Sequence, residues 1–230
     1  ILEFLLKKNQ TVIGIDNLSS GRLKNIRELQ KRYKNRKFIF KKKDITNKKS
    51  LREINKYPIN YIIHLAALVS VEKSIKNPQL CNKINIKGFE NVVNTIKNKN
   101  VKKLIFASSA AIYGNDSRVN FESNEYSPMS PYAISKAKNE IYSKKISKKL
   151  KIKFVALRYF NIFGKRQSPN GSYASVIPKW VDRFKKNKDI YIYGDGTTTR
   201  DFCHVDNVVL ANILSAFSKT KKYEVFNVGS

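Results

Sequence analysis

The chain is poor in the residues that usually mark a metal site, a disulfide scaffold or a secreted fold. It has two cysteines, two histidines, one methionine and one tryptophan in 230 residues. Cys81 and Cys203 lie far apart with no CxxC pair, which excludes a disulfide framework and a cysteine-rich zinc site and fits a reducing compartment. His64 and His204 have no close acidic partner and do not make a metal site, so no metal is expected. Lone histidines of this kind are packed or hydrogen-bonded in most folds. No apolar run reaches 18 residues and no signal-like stretch is present, so neither a membrane span nor secretion is indicated and a cytoplasmic protein is expected. Acidic residues are also scarce, 17 against 46 Lys and Arg, for a formal net charge of +29. That excess would suit nucleic acid or another polyanion through counterion release. Lys outnumbers Arg 36 to 10, however, and is spread over nearly every segment, which reads as solvated surface more readily than as a nucleic-acid groove.

What is present is enough apolar residue, 41%, to bury a large core, in one domain with a lobe or in two small domains. Ile1 is not a start residue, and ILEFLLKKN reads as a helix already under way without an N-cap, so a fragment of a longer chain is expected. Short runs rich in Ile, Val and Phe follow: TVIGI (11–15), KFIF (37–40), YIIHL (61–65), KLIFA (103–107) and KFVAL (153–157). Helical patterns at 22–33, 48–56, 82–99 and 131–149 separate them. Strands apolar on both faces and alternating with helices predict an α/β fold, a doubly wound parallel sheet covered on each side. Ligands in such sheets sit beyond the carboxyl ends of the strands.

Those ends carry Asp16, Asp44 in KKKDIT, Ala66 and Ala67, Ser108 and Ser109, and RYFN from Arg158 to Asn161. A carboxylate after an early strand suits the hydroxyls of an adenosine ribose, small residues admit a flat ring, and hydroxyls relay protons. In SPYAISK, Ser130 is a good N-cap and Pro131 suits the first helical position, so Tyr132 falls in the first turn with Lys136 one turn on. By itself the Tyr–Lys pair fits many solvated helices. Asp16 and Asp44 could equally be loop carboxylates, Ser108 and Ser109 turn formers, and Arg200 a surface partner of Asp201 or Asp206. Trp180 reads as core packing. After residue 164 the texture turns to loops with Gly, Pro and Asn, including YGDGTTTRDF with a tight turn at Asp195 and Gly196.

Taken together and in order, SIKNPQLCNKINIKGFENV, SPYAISK, RYFNIFGKRQSPNG and GDGTTTRDFCHVDNV resemble the extended short-chain dehydrogenase/reductase family. Within it they are most similar to the nucleotide-sugar 4-epimerases, in particular those acting on UDP-N-acetylglucosamine. The likeness runs over the whole chain and lacks only the first strand and its GxxGxxG loop, which would fall before Ile1. The resemblance implies an NAD-binding Rossmann-type domain over 1–163 and part of a nucleotide-sugar lobe over 164–230, with segments returning to the sheet. It implies that Asp16 and Asn17 meet the adenosine ribose side of NAD, Asp44 and Ile45 the adenine, and Leu65, Ala66 and Ala67 the wall beside ribose and diphosphate. Asn85 would support that wall, and Tyr159 would also lie against the cofactor. Tyr132 would be the acid/base, its phenol made more acidic by a neighbouring ammonium and the positive nicotinamide once the cofactor binds beside it; Lys136 would hold the nicotinamide ribose, and Ser109 would bridge the sugar hydroxyl to the phenol. On the UDP-sugar side it implies Asn161 and Arg200 for the phosphates, Tyr193 for the uracil and Val176 for the pocket. Dehydratase and decarboxylase relatives typically carry an acidic residue after the catalytic Ser or Thr; SSAAIYG has Ala110 and Ala111 there, which leaves plain epimerisation. The resemblance further implies a homodimer through the helices at 82–99 and 131–149, no membrane partner, and little call for nucleic acid. The alternatives are a UDP-glucose or UDP-glucuronate 4-epimerase, or a non-catalytic member of the fold that binds RNA or another polyanion.

Overall fold

A computed structural model describes the chain except residues 98, 116–118, 170–174, 193 and 230. From the amino end, helix α1 (Leu2–Lys7) leads into β1 (Val12–Asp16), α2 (Leu23–Arg32) and β2 (Phe38–Lys42). Next come α3 (Lys48–Leu51), a 3-10 turn (Arg52–Lys56) and β3 (Tyr61–His64). Helix α4 (Val71–Lys76) is followed by α5 (Pro78–Cys81), a π-helical stretch (Asn82–Lys87) and α6 (Gly88–Ile96), which continue one another. Strand β4 (Lys103–Ser109), a 3-10 turn (Ala110–Tyr113), α7 (Pro131–Ser147) and β5 (Lys153–Tyr159) complete the central part. The remainder is β6 (Asn161–Phe163), α8 (Val176–Lys185), β7 (Phe202–His204), α9 (Val205–Phe217) and β8 (Tyr223–Val228).

All strand pairs are parallel: β1 with β2, the order β3-β4-β5-β8, and β6 with β7. This is the doubly wound architecture the alternating apolar runs predict, with the five predicted strands observed to within two residues at each end. The reason is visible in the core. Leu104 and Phe106 of β4, with Phe154 and Ala156 of β5, pack against Phe89, Val93 and Ile96 of α6. Their alternates Ile105, Val155 and Leu157 pack against Val208 and Ala216 of α9. Each central strand is therefore buried on both faces, which is why these runs show no polar alternation.

Two helices need correction. The 82–99 helix begins earlier, at Pro78, where the Asn77 side chain accepts from Leu80 N, and it is π-helical over Asn82–Lys87. The 48–56 helix loses its α character after Leu51 and finishes as a 3-10 turn. The carboxyl-terminal third holds α9 and β8, and these return to the main sheet, β8 pairing with β5 and α9 packing on its face.

Candidate active site

The site is assembled at the carboxyl end of β4 and the amino end of α7. Helix α7 starts as the sequence predicts: the Ser130 hydroxyl accepts from Ala133 N at 3.1 Å and Pro131 takes the first position. Tyr132 N is one of the helix's orphan donors, and it is satisfied by the hydroxyl of Ser74 on α4 at 3.1 Å. The Tyr132 carbonyl accepts from the Ser135 hydroxyl at 2.6 Å. Both backbone groups of Tyr132 are thus held by buried serines, and the phenol is fixed from behind.

Tyr132 is 9% exposed, and its phenol lies close enough to Ser109, the last residue of β4, for that hydroxyl to favour the ionised phenol. Ser109 Oγ accepts from Ala111 N at 3.2 Å, which leaves its own proton for the phenol oxygen. Lys136 lies under the same pair, 4% exposed, its ammonium donating to the Ala107 carbonyl at 2.7 Å and lying 5.7 Å from the centre of the Tyr132 ring. The structure thus brings Ser109, Tyr132 and Lys136 together. Burial pushes the phenol above its ordinary pKa and outweighs the opposing hydrogen bond from Ser109, so Tyr132 is protonated as it stands. Burial also pulls Lys136 down to about 8, because an ammonium loses hydration there as a phenolate would.

Behind this trio lies a buried ion pair that the sequence reading did not use. Glu140, one turn after Lys136 on α7, is 0% exposed, and Arg158 at the end of β5 is 1% exposed. Arg158 meets the carboxylate with two N–H groups, at 2.8 and 3.1 Å, and donates to Tyr113 Oη at 2.7 Å and the Glu122 carbonyl at 3.1 Å. The same carboxylate accepts from the Ser108 hydroxyl and from Tyr126 at 3.0 Å. The signal was present, an acid four residues after the lysine and an Arg ending a strand, but nothing in the linear order joins them.

A second group lies where β1 and β2 end. Asp16 is exposed and accepts from Leu18 N at 2.6 Å, and Asn17 donates to the Asp44 carboxylate at 3.0 Å, which also takes Thr46 N at 2.7 Å. The Asn17 bond, aided by Thr46, holds the Asp44 carboxyl below its usual range. Ile45 lies against Gly88 so closely that a Cβ there would come within 2.6 Å of its Cδ1, so helix and loop meet only through a glycine. After β3, Leu65 and Ala66 are exposed and Ala67 half-buried. Asn85, in the π-helical stretch, accepts from Leu68 N at 2.7 Å and donates to Leu68 O at 3.0 Å and Ser135 Oγ at 2.9 Å. It ties the end of this wall to the Tyr132 helix.

The residues expected on the substrate side are more dispersed. Asn161 is exposed and its side chain donates to the Asp201 carbonyl at 3.1 Å; Val176 opens α8; Arg200 is exposed and donates to the Thr199 carbonyl at 2.7 Å. Tyr193 lies outside the described residues. The Tyr159 phenol faces α9, accepts from Asn212 at 2.6 Å and packs with the apolar cluster on that side of the sheet. A cavity of about 880 Å³ is lined by Tyr113, Phe121, Glu125 and Met129 among others, and by none of the three residues themselves.

The histidines are structural, as expected. His204 caps α9, its Nδ1 accepting from Asp206 N at 3.3 Å. His64 ends β3 edge-on to Phe89, and burial, with Lys136 nearby, pulls it down to about 3. Its folded pKa lies below the unfolded value near 6.5, so its neutral ring contributes stability that is fully present above pH 6.5 and is lost as pH falls toward 3. At pH 5 the loss should be about 1–3 kcal/mol. Urea unfolding at pH 7 and pH 5 should show it in the wild type and not in His64→Gln. Equal losses in the two proteins would refute the assignment. Among the described residues no cluster of three or more metal-ligating side chains occurs, and no helix is long and apolar enough to cross a membrane.

A parallel sheet with a Tyr and a Lys one helical turn apart, a serine against the phenol and carboxylates beyond the first strands defines an extended short-chain dehydrogenase/reductase. The comparisons agree. Residues 1–229 match the model of the NAD dependent epimerase/dehydratase family, and the chain belongs to that family. It is 35% identical over 231 residues to a UDP-glucuronate 4-epimerase of Thermodesulfobacterium geofontis, covering 99% of this chain and 70% of that one. Among solved structures it is similar to a UDP-N-acetylglucosamine 4-epimerase from Methanobrevibacter ruminantium in complex with UDP-N-acetylmuramic acid, at TM-score 0.91 and 38% identity, covering 99% of this chain and 71% of that one. It is equally similar in fold to a UDP-glucose 4-epimerase from Thermotoga maritima with UDP-glucose, at TM-score 0.91 and 33% identity, covering 100% of this chain and 72% of that one.

Proposed function

We propose that the chain is an NAD-dependent UDP-hexose 4-epimerase whose preferred pair is UDP-N-acetylglucosamine and UDP-N-acetylgalactosamine. The observation that carries the reaction type is the Ser109–Tyr132–Lys136 arrangement followed by Ala110 and Ala111, which leave no acid or base beside Ser109 for an elimination. The preference for the N-acetyl sugars is supported by the 38% identity to the Methanobrevibacter enzyme; the relatives acting on UDP-glucose and UDP-glucuronate supply the alternatives.

The donor set fits NAD. Asp16 is an exposed carboxylate suited to a ribose diol, Asn17, Asp44 and Ile45 form the neighbouring ledge, and Leu65, Ala66 and Ala67 offer a small apolar wall that Asn85 holds in place. Lys136 would reach the nicotinamide ribose. Tyr159 contributes, in this reading, through the end of β5 and not through its phenol. The chemistry NAD supplies when bound is reversible hydride acceptance, together with a positive charge in its oxidised form. Tyr132 takes the proton of the sugar 4-hydroxyl and returns it after the 4-keto sugar has turned over in the pocket. Ser109 donates to the phenol oxygen and so favours the phenolate, and Lys136 adds its charge from below. Asn161, Val176, Tyr193 and Arg200 are assigned to the UDP-sugar. In this reading residues 1–163 form the cofactor domain and 164–230 part of the substrate lobe.

The test is turnover of UDP-N-acetylglucosamine, UDP-glucose and UDP-glucuronate with NAD present and products separated by chromatography. The highest kcat/KM is expected for UDP-N-acetylglucosamine. A protein that binds NAD and turns over none of the three would overturn the reading.

The dimer belongs to the same proposal, with one adjustment to the helices involved. Exposed large apolar residues lie on α7 (Ile134, Ile141), α5 (Leu80) and α4 (Ile75), whereas α6 presents none. A second copy is expected to cover this face. Sedimentation at micromolar concentration should show a dimer, and Ile141→Glu should shift it to monomer; a monomeric wild type would end the proposal.

A further inference from the structure

The cations that are scattered along the sequence are sorted in space. The loops 97–102, 148–152 and 218–222 immediately precede β4, β5 and β8 of one parallel sheet, so all three lie at its amino end, and 33–37 precedes β2 of the separate β1–β2 pair. Each carries three Lys or Arg and no carboxylate, and all twelve cations are exposed. Among the described residues none of the twelve takes part in an ion pair. Lys99 also borders a cavity of about 370 Å³ lined by Lys48, Arg52, Asn55, Asn94 and Thr95, which carries the basic surface round the side of the sheet. Glu224 at the start of β8 lies near Lys103, but most nearby carboxylates lie at the other end: Asp16 and Asp44 follow β1 and β2, Glu122 and Glu125 follow β4, and Asp201 touches Gly229 beyond β8. The candidate active site is at that opposite end.

We infer that the amino end of the sheet docks on an anionic lipid bilayer, with the catalytic cleft turned toward water. Eleven of the twelve cations are lysines, compact charges on flexible stems that suit a fluid layer of headgroups. Nucleic-acid surfaces combine such charge with several exposed rings on which bases stack; within these loops the one ring, Tyr33, is half-buried and bonded to Glu3, and the adjoining Phe217 ring packs against Tyr61. The one large exposed apolar side chain beside them is Phe217, at the end of α9 and 55% exposed, suited to the headgroup boundary.

Flotation with vesicles tests this. The protein should float with phosphatidylcholine vesicles containing about a third phosphatidylglycerol, stay behind with phosphatidylcholine alone, and be released by high salt. Lys148→Gln/Lys149→Gln/Lys151→Gln should weaken binding on the order of 10²-fold, while Lys24→Gln/Lys185→Gln/Lys188→Gln, with the same change in net charge, should shift it less than about threefold. Equal weakening by the two triples would mean that net charge alone acts, and would overturn the assignment of this face. So would tighter binding to single-stranded RNA at equal phosphate concentration, which would give the face to nucleic acid.

Discussion

Tyr132→Phe is expected to lower turnover by about 10²–10⁴-fold, the usual contribution of a positioned acid/base, with kcat falling more than KM. The substitution removes one oxygen and leaves the ring in place. The helix start does not depend on that oxygen: Ser130 caps α7, Ser74 holds Tyr132 N and Ser135 holds its carbonyl. Fold and NAD binding should therefore survive, as circular dichroism and calorimetry would record. Because burial keeps the phenol protonated in the free protein, the wild-type rate should climb with pH as Tyr132 becomes able to accept a proton. Ser109→Ala should move that rise to higher pH, since it removes the hydrogen bond that favours the phenolate. Near-wild-type turnover in a folded, NAD-loaded Tyr132→Phe protein would reduce the Tyr–Lys pair to a feature of a well-capped helix.

The largest expected effect on stability is at the ion pair behind the trio. Glu140→Gln leaves the Arg158 guanidinium buried without its counter-charge, and breaking a buried pair from one side costs about 3–5 kcal/mol. For a chain of this size that corresponds to a fall in Tm of roughly 6–20 °C. Ser108, Tyr126 and Tyr113 would lose partners or register at the same time, and Ser108 is bonded directly to Ser109 along β4. Turnover should drop with the Tm. The double variant Glu140→Leu/Arg158→Met should be less destabilised than the two single losses added together, because no unpaired charge remains. A Glu140→Gln protein that melts within about 2 °C of the wild type would show that Arg158 finds another partner or water.

The same two predictions show where sequence reasoning stops. Tyr132 and Lys136 could be placed on one face of a helix because a capping serine, an N1 proline and a spacing of four are local rules. Glu140 and Arg158 could not be joined, since the contact spans a helix and a strand 18 positions apart and depends on how α7 lies across β5. How far the ammonium acidifies the phenol was out of reach for a related reason. Its effect depends on burial, which desolvates both groups, and on the Ala107 carbonyl that accepts a hydrogen bond from the ammonium.

By itself the sequence determined the alternation of strands and helices, the parallel sheet, the cap and spacing of the Tyr–Lys pair and the likeness to the epimerases. Each of these rests on periodicity or on neighbours within a turn or two of chain. Only the tertiary structure decided which protonation states burial favours, that a buried ion pair backs the serine of β4, and that Asn85 ties the loop after β3 to the Tyr132 helix. It also brought the lysine-bearing loops before β4, β5 and β8 to one end of the sheet, because parallel strands all begin there.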